Sequence, residues 1–111
     1  MFKISFRRIS KAAALAALIL PFQFSPALAA SKAAQGRQVY NTYCVLCHGS
    51  NMVNAGSNAP DLRKFPKSQK ARFVKSVKNG KGQGKMPAWG DILSAEDINK
   101  IWSYVKTRGK I

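Results

Sequence analysis

The chain has 111 residues, with 19 lysines and arginines against four acidic residues and a net charge of +15 at pH 7. That length supplies one small domain and excludes several. Two cysteines allow at most one disulfide, which excludes a disulfide-dense scaffold.

The first 29 residues predict a cleaved export signal of the Sec type. Lys3, Arg7, Arg8 and Lys11 form its basic opening, Ala12 to Leu20 its apolar run, and Pro21 breaks that run. Ala27-Leu28-Ala29 fits a small-x-small cleavage pattern, placing the cut after Ala29 to within one residue. The apolar run falls short of the roughly 20 residues a membrane span needs, so no membrane insertion is expected after cleavage. A twin-arginine signal would want apolar residues after Arg7-Arg8, where Ser10 and Lys11 stand.

The remaining domain, residues 30–111, is therefore expected in the periplasm. It keeps a charge of +11, because four of the basic residues and none of the acidic ones lie in the signal. Such a surface is steered toward acidic partners. Nucleic acid is the usual partner of so basic a domain. An exported chain rarely meets it, and the aromatics here do not interleave with the lysines.

The first helix is expected over "SKAAQGRQVYNTYC", where Ala33, Gly36, Val39 or Tyr40, and Tyr43 recur at helical spacing. It runs directly into Cys44-Val45-Leu46-Cys47-His48. Residues 49–60, "GSNMVNAGSNAP", read as a loop from their Gly, Asn and Ser content. A second helix is expected over "SQKARFVKSVKNG", with Ser68 as N-cap, Ala71, Val74 and Val77 on one face, and Asn79-Gly80 as the stop. "KGQGKMPAWGD" is a Gly-rich loop, whose first part reads as a hinge because it lacks the Gly-Lys-Ser/Thr ending of a phosphate cradle. The last helix opens on Ser94 with Asp97 as a capping box. Ile98, Ile101, Trp102 and Val105 form its apolar stripe, and Lys106 and Arg108 lie near its end, where the helix dipole favours cations. Nothing alternates with period two. The expected fold is all-α, with three or four short helices and long functional loops.

Both cysteines and the only histidine fall within five consecutive positions, 44–48. A thioredoxin-like redox pair would open a helix after a strand, and here a helix precedes the motif. A closed zinc site wants four N or S ligands, and only three such residues exist. Cys-x-x-Cys-His matches the attachment signature of c-type haem. Two intervening residues let one turn of chain span the vinyl edge of a porphyrin. Cys44 and Cys47 then make thioethers, and His48 offers nitrogen to the iron. The cofactor also supplies the staple that a domain of this size needs.

With that motif, the chain from about Gly36 to Arg108 resembles a small soluble class I cytochrome c, helices wrapped around one covalently attached haem. "APDL" is similar to the family element in which a proline carbonyl accepts a hydrogen bond from the axial histidine. The resemblance therefore implies that Pro60 orients His48 and that Leu62 presses on the haem face. "GKMPAWG" resembles the loop carrying the distal ligand, which implies Met86 as the sixth iron ligand. Elimination agrees: Met1 leaves with the signal, and Met52 follows His48 too closely to reach the opposite face. Gly36, Tyr40 and Trp102 look like the crossing of the terminal helices, while Trp89 and Tyr104 are open between packing and another role. The short spacing from His48 to Met86 implies an exposed haem edge.

A His/Met-ligated iron has no open position and suits outer-sphere electron transfer rather than catalysis. A pocket of Leu62, Phe65, Phe73, Val74 and Val77 would favour Fe(II) by excluding water. The chain is thus expected to be a monomeric one-electron carrier, not an enzyme, shuttling between a dehydrogenase and a terminal acceptor. "MPAWGDILSAEDINKIWSYV" is similar to cytochromes that serve quinone-dependent alcohol dehydrogenases. Lys64, Lys67, Lys81 and Lys85 either steer it toward acidic docking patches or simply keep it soluble. The rival reading is a haem-based sensor or catalytic subunit that releases Met86 and binds gas or peroxide. A third is a subunit fixed within an oxidase or dehydrogenase complex.

Overall fold

The computed structural model describes residues 15–23 and 30–111. The basic opening at Lys3, Arg7, Arg8 and Lys11 and the cleavage pattern at Ala27-Leu28-Ala29 lie outside the described residues. Residues 15–23 form no helix, and Leu15, Leu18, Ile19, Leu20 and Phe22 are exposed. Among the described residues no helix is long and apolar enough to cross a membrane.

The described residues hold four α-helices: α1 (Lys32–Tyr43), α2 (Val45–His48), α3 (Lys70–Asn79) and α4 (Ala95–Val105). Short 3-10 turns lie at Ser50–Met52 and Leu62–Lys64. The expected all-α class holds; among the described residues the only strand-like pairing is an isolated antiparallel bridge between Lys81 and Met86.

Local chemistry starts and stops these helices. Ser31 caps α1 by accepting from the Ala34 N–H at 3.1 Å, satisfying one of the orphan donors of the first turn. The Cys44 N–H closes the other end on the Tyr40 carbonyl at 2.8 Å. In α4 the capping box is complete: Asp97 N–H donates to Ser94 Oγ at 3.0 Å, and Ser94 N–H donates to Asp97 Oδ2 at 3.1 Å. Gly80, at φ 73°, ends α3 as expected.

Helix α3 departs from expectation at its start and on its face. Its N-cap is Gln69, whose side chain makes no capping bond, and not Ser68. The chain enters through a turn in which the Gln69 N–H bonds to the Pro66 carbonyl at 3.0 Å, delaying the helix by one residue. The buried stripe is Phe73 and Val77; Val74 is half-buried and Ala71 exposed. The large Phe73 ring dominates the apolar area and turns the helix so that it meets Trp102, their centroids 5.1 Å apart.

The core sits where α1 crosses α4. Tyr40, Met52, Ile98, Ile101, Tyr104 and Val105 are fully buried there. Gly36 makes the crossing possible, since a Cβ at that position would lie 1.8 Å from the Lys100 carbonyl oxygen. The expected aromatic partners need correction. Tyr40 packs edge-on against Tyr104 at 5.1 Å, while Trp102 faces Phe65 and Phe73 on the other side of α4. Positions 102 and 104 are separated by roughly 200° around a helix, so only one can face α1.

Candidate haem site

Cys44, Cys47 and His48 are gathered by a single turn of chain. Cys44 caps α1, and its carbonyl accepts from the His48 N–H at 2.9 Å. Gly49 then reverses the chain at φ 83°, where a Cβ would lie 1.9 Å from the Val53 carbonyl oxygen. The Tyr40 hydroxyl, buried in the core, donates to the Gly49 carbonyl at 2.6 Å. The residue after the histidine is thus tied directly to the helix crossing.

The His48 side chain is buried, and its Nδ1 lies 3.1 Å from the Pro60 carbonyl oxygen. A carbonyl can only accept, so Nδ1 carries the proton and Nε2 keeps its lone pair. Burial lowers the imidazole's pKa, against the smaller opposing effect of the Pro60 bond. Burial thus favours the neutral ring, the form that binds a metal.

Both cysteines are free; Cys44 is half-buried and Cys47 exposed. Burial, and secondarily the neighbouring Cys47, push the Cys44 thiol up to about 12. Among the described residues no three His, Cys, Asp or Glu side chains converge on a point that would hold a bare metal ion. Two thiols on one turn beside a neutral, oriented imidazole fit a c-type haem instead, with sulfur for its periphery and nitrogen for its iron.

The stretch from the histidine to Pro60 is shaped by side chains that its composition did not single out. Asn54 Nδ2 donates to the carbonyls of Ser57 and Ala59 at 2.9 and 2.8 Å. Its Oδ1 accepts from the N–H groups of Gly56 and Ser57 at 3.0 and 2.8 Å. The Ser57 hydroxyl donates to the Cys47 carbonyl, closing the loop onto the motif. The only advance signal was the Asn-x-Gly-Ser turn chemistry itself. Leu62 is half-buried against the core and opens the 3-10 turn capped by Asp61. Asp61 accepts two hydrogen bonds from the Arg63 guanidinium at 3.0 and 2.9 Å, which with the Arg63 N–H lower its carboxyl to about 2.

Met86 lies half-buried against the same core, on a different loop. Its backbone is paired with Lys81 through two bonds of 3.1 Å. Gly82, Gln83 and Gly84, all at positive φ, form the tip, and the Lys85 N–H closes on the Gly82 carbonyl at 3.2 Å. The expected hinge is in fact a closed turn. Glycine is needed at its base, because a Cβ on Gly80 would lie 2.5 Å from the Met86 carbonyl oxygen. Trp89 and Gly90 tie the loop back to α3 through the carbonyls of Val77 and Lys78, and Trp89 packs edge-on against Tyr43 at 5.3 Å. Met52 is fully buried in the core.

Of the expected pocket residues, Phe73 and Val77 are buried and Phe65 and Val74 half-buried. Lys64, Lys67, Lys81 and Lys85 are all exposed. A further open hollow on α3, lined by Lys70, Ala71, Val74, Lys75, Lys78 and Asn79, contains none of the motif residues.

Residues 31–105 match the family described as cytochrome C oxidase, cbb3-type, subunit III. Cytochrome c6 of Microcystis aeruginosa is 40% identical over 74 residues, covering 63% of this chain and 89% of that protein. The quinohemoprotein alcohol dehydrogenase ADH IIB of Pseudomonas putida is 35% identical over 86 residues, covering 75% of this chain but only 12% of the enzyme. The crystal structure of cytochrome c6C from Synechococcus sp. PCC 7002 superposes with a TM-score of 0.55 at 28% identity, over 68% of this chain and 95% of that one.

Proposed function

The chain belongs to the c-type cytochromes, small monohaem electron carriers with one covalently bound haem c, and on that premise we propose that its iron is held by His48 and Met86. Cys44 and Cys47 would hold the haem periphery through thioethers. A bound c-type haem supplies a one-electron Fe(III)/Fe(II) couple. The observation that carries the reading is the buried His48 ring, with its Nδ1–H donated to the Pro60 carbonyl at 3.1 Å and the Nε2 lone pair left for a metal, beside two free thiols.

The other residues follow from that centre. The Pro60 carbonyl fixes the tautomer and the plane of the ring, and such a bond raises the basicity of a ligating imidazole. Leu62, two residues on, excludes water from the same side. Met86 is carried on a turn whose base is pinned at Lys81, so its side chain is presented from a fixed main chain. With His48 and Met86 both holding the iron, the site would offer no place for a substrate, which favours a carrier over an enzyme or a gas sensor. Residues 1–29 act as a cleaved Sec signal, and the domain of residues 30–111 works in the periplasm as a monomer.

Lys64, Lys67, Lys81 and Lys85 steer the domain onto acidic patches of its redox partners, allowing association near ~10⁸ M⁻¹s⁻¹ at low salt. The likeness to part of a quinohemoprotein alcohol dehydrogenase supports a quinone-dependent dehydrogenase as electron donor.

The test is spectroscopic. The oxidised holoprotein should show the far-red band of methionine on Fe(III), and carbon monoxide should leave the reduced spectrum unchanged. Met86→Ala should abolish the band and admit carbon monoxide while keeping the covalent haem. Immediate carbon monoxide binding by the unaltered protein would instead establish the sensor or catalytic reading.

A further inference from the structure

From the sequence, Lys106 and Arg108 place cations near the end of α4. Arg108 does something further. Arg108 has φ 59°, a conformation unfavourable for a residue with a β-carbon. Its N–H bonds to the Val105 carbonyl at 3.1 Å, and its side chain leaves the helix altogether. Nη1 donates to the Phe65 carbonyl at 2.7 Å and to the Leu62 carbonyl at 3.3 Å. The guanidinium thus grips both ends of the turn that follows Pro60. Phe65 is held a second time through its ring, which carries the Arg72 guanidinium at 4.4 Å and packs edge-on against Phe73 and Trp102.

The same tail touches the other side of the histidine. A Cβ on Gly109 would lie 2.6 Å from the Asn51 carbonyl oxygen, so the tail runs hard against the turn that follows His48. Arg37, on α1, donates to the Ile111 carbonyl at 3.0 Å and reaches Asn51 Oδ1 at 3.5 Å. The chain leaving His48 and the chain leaving Pro60 therefore meet on one short segment. A left-handed residue kept in place by its side-chain contacts points to a function for the strained position.

We propose that Arg108 is a positioning residue for the iron centre: it locks the Leu62–Phe65 turn to the end of α4 and thereby holds the Pro60 carbonyl on the His48 ring. The inference rests on His48 being an iron ligand. Two substitutions separate the guanidinium from the backbone. Asn tolerates the left-handed conformation but cannot reach the carbonyls, whereas Lys keeps the charge and one point of donation.

The experiment is proton NMR of the reduced holoprotein, following solvent exchange of the His48 Nδ1–H, with the reduction potential measured on the same samples. In Arg108→Asn, exchange should quicken about tenfold, the ratio implied by losing one hydrogen bond of ordinary strength. The potential should shift with it, and Arg108→Lys should restore part of both. A fall in thermal midpoint with exchange and potential unchanged would make Arg108 merely structural and overturn the proposal. Should Arg108→Asn not fold, Arg108→Lys alone decides, since an unaltered exchange rate and potential there would also overturn it. If the unaltered holoprotein shows no iron-bound histidine resonance, the ligand assignment itself fails, and this proposal falls with it.

Discussion

The molecule has two halves built on different physics. At the crossing of α1 and α4, close-packed apolar side chains do the stabilising, with Tyr40, Ile98, Ile101, Tyr104 and Val105 fully buried. From Cys47 to Gly90, apart from α3, order comes from backbone carbonyls taken by Asn54, Ser57, His48 and Arg108, and from glycines at positive φ. The helix crossing is complete as protein. The loop side has its polar groups organised, yet Leu62, Val74 and Met86 are only half-buried. That half-buried apolar surface is what a flat apolar cofactor would cover.

The largest effect should come from removing the cofactor's attachment. Cys44→Ser with Cys47→Ser should yield a chain without covalent haem and with most of its helical circular dichroism lost, because a domain of about 80 residues is marginal without a staple. If the variant keeps its helical signal, the crossing folds alone and the two halves are independent units. Next comes the crossing itself. Gly36→Ala should cost about 3 kcal/mol, at the upper end for overpacking, because the new methyl group meets backbone that cannot yield. Denaturant unfolding of the holoprotein would read this, and covalent haem should remain. A cost below about 1 kcal/mol would mean that the helices can part without penalty.

How far each half could be read in advance follows the same division. Helix α4 was legible because Ser94, Asp97 and the Ile98–Val105 stripe are local features, bonded or spaced within one element. The motif at 44–48 was legible because its chemistry needs adjacent residues. Trp102 reads as part of the crossing through the family resemblance, whereas the aromatic that meets Tyr40 is Tyr104, two residues on. Ser68 lost its expected capping place to a turn begun by Pro66. The loop side hid most. Arg108 bonds to carbonyls 46 and 43 positions away and the Tyr40 hydroxyl to one nine positions on, and a carbonyl looks the same in every residue. The closed turn over 81–86 reads as a hinge in the sequence, because glycines that permit φ above zero also occur where nothing is fixed.

The smallest effect is a pH dependence on the loop side. Asp61 has its pKa depressed from 3.8 to about 2, chiefly by the Arg63 guanidinium. A depressed carboxyl stabilises above its unfolded value, so this contribution is present above about pH 4 and is lost as pH falls toward 2. Asp61→Asn should lower the thermal midpoint slightly at neutral pH, leave it unchanged near pH 2, and so flatten the profile across that window. An identical acid profile in the two proteins would show that the pair contributes nothing. The carboxylate is exposed, so salt should weaken the effect as well.

The pairing of α1 with α4 also sets an order of events. These are the first and last helices described, and the Gly36 notch cannot close until the chain around Lys100 exists. Bringing such distant segments together carries a large loop-closure cost, and nothing can bring them together before α4 is present. Until then Cys44, Cys47 and His48 sit in an open chain, with the Cys44 thiol not yet buried. The topology thus keeps a window during which sulfur can be modified, and shuts it by completing the core.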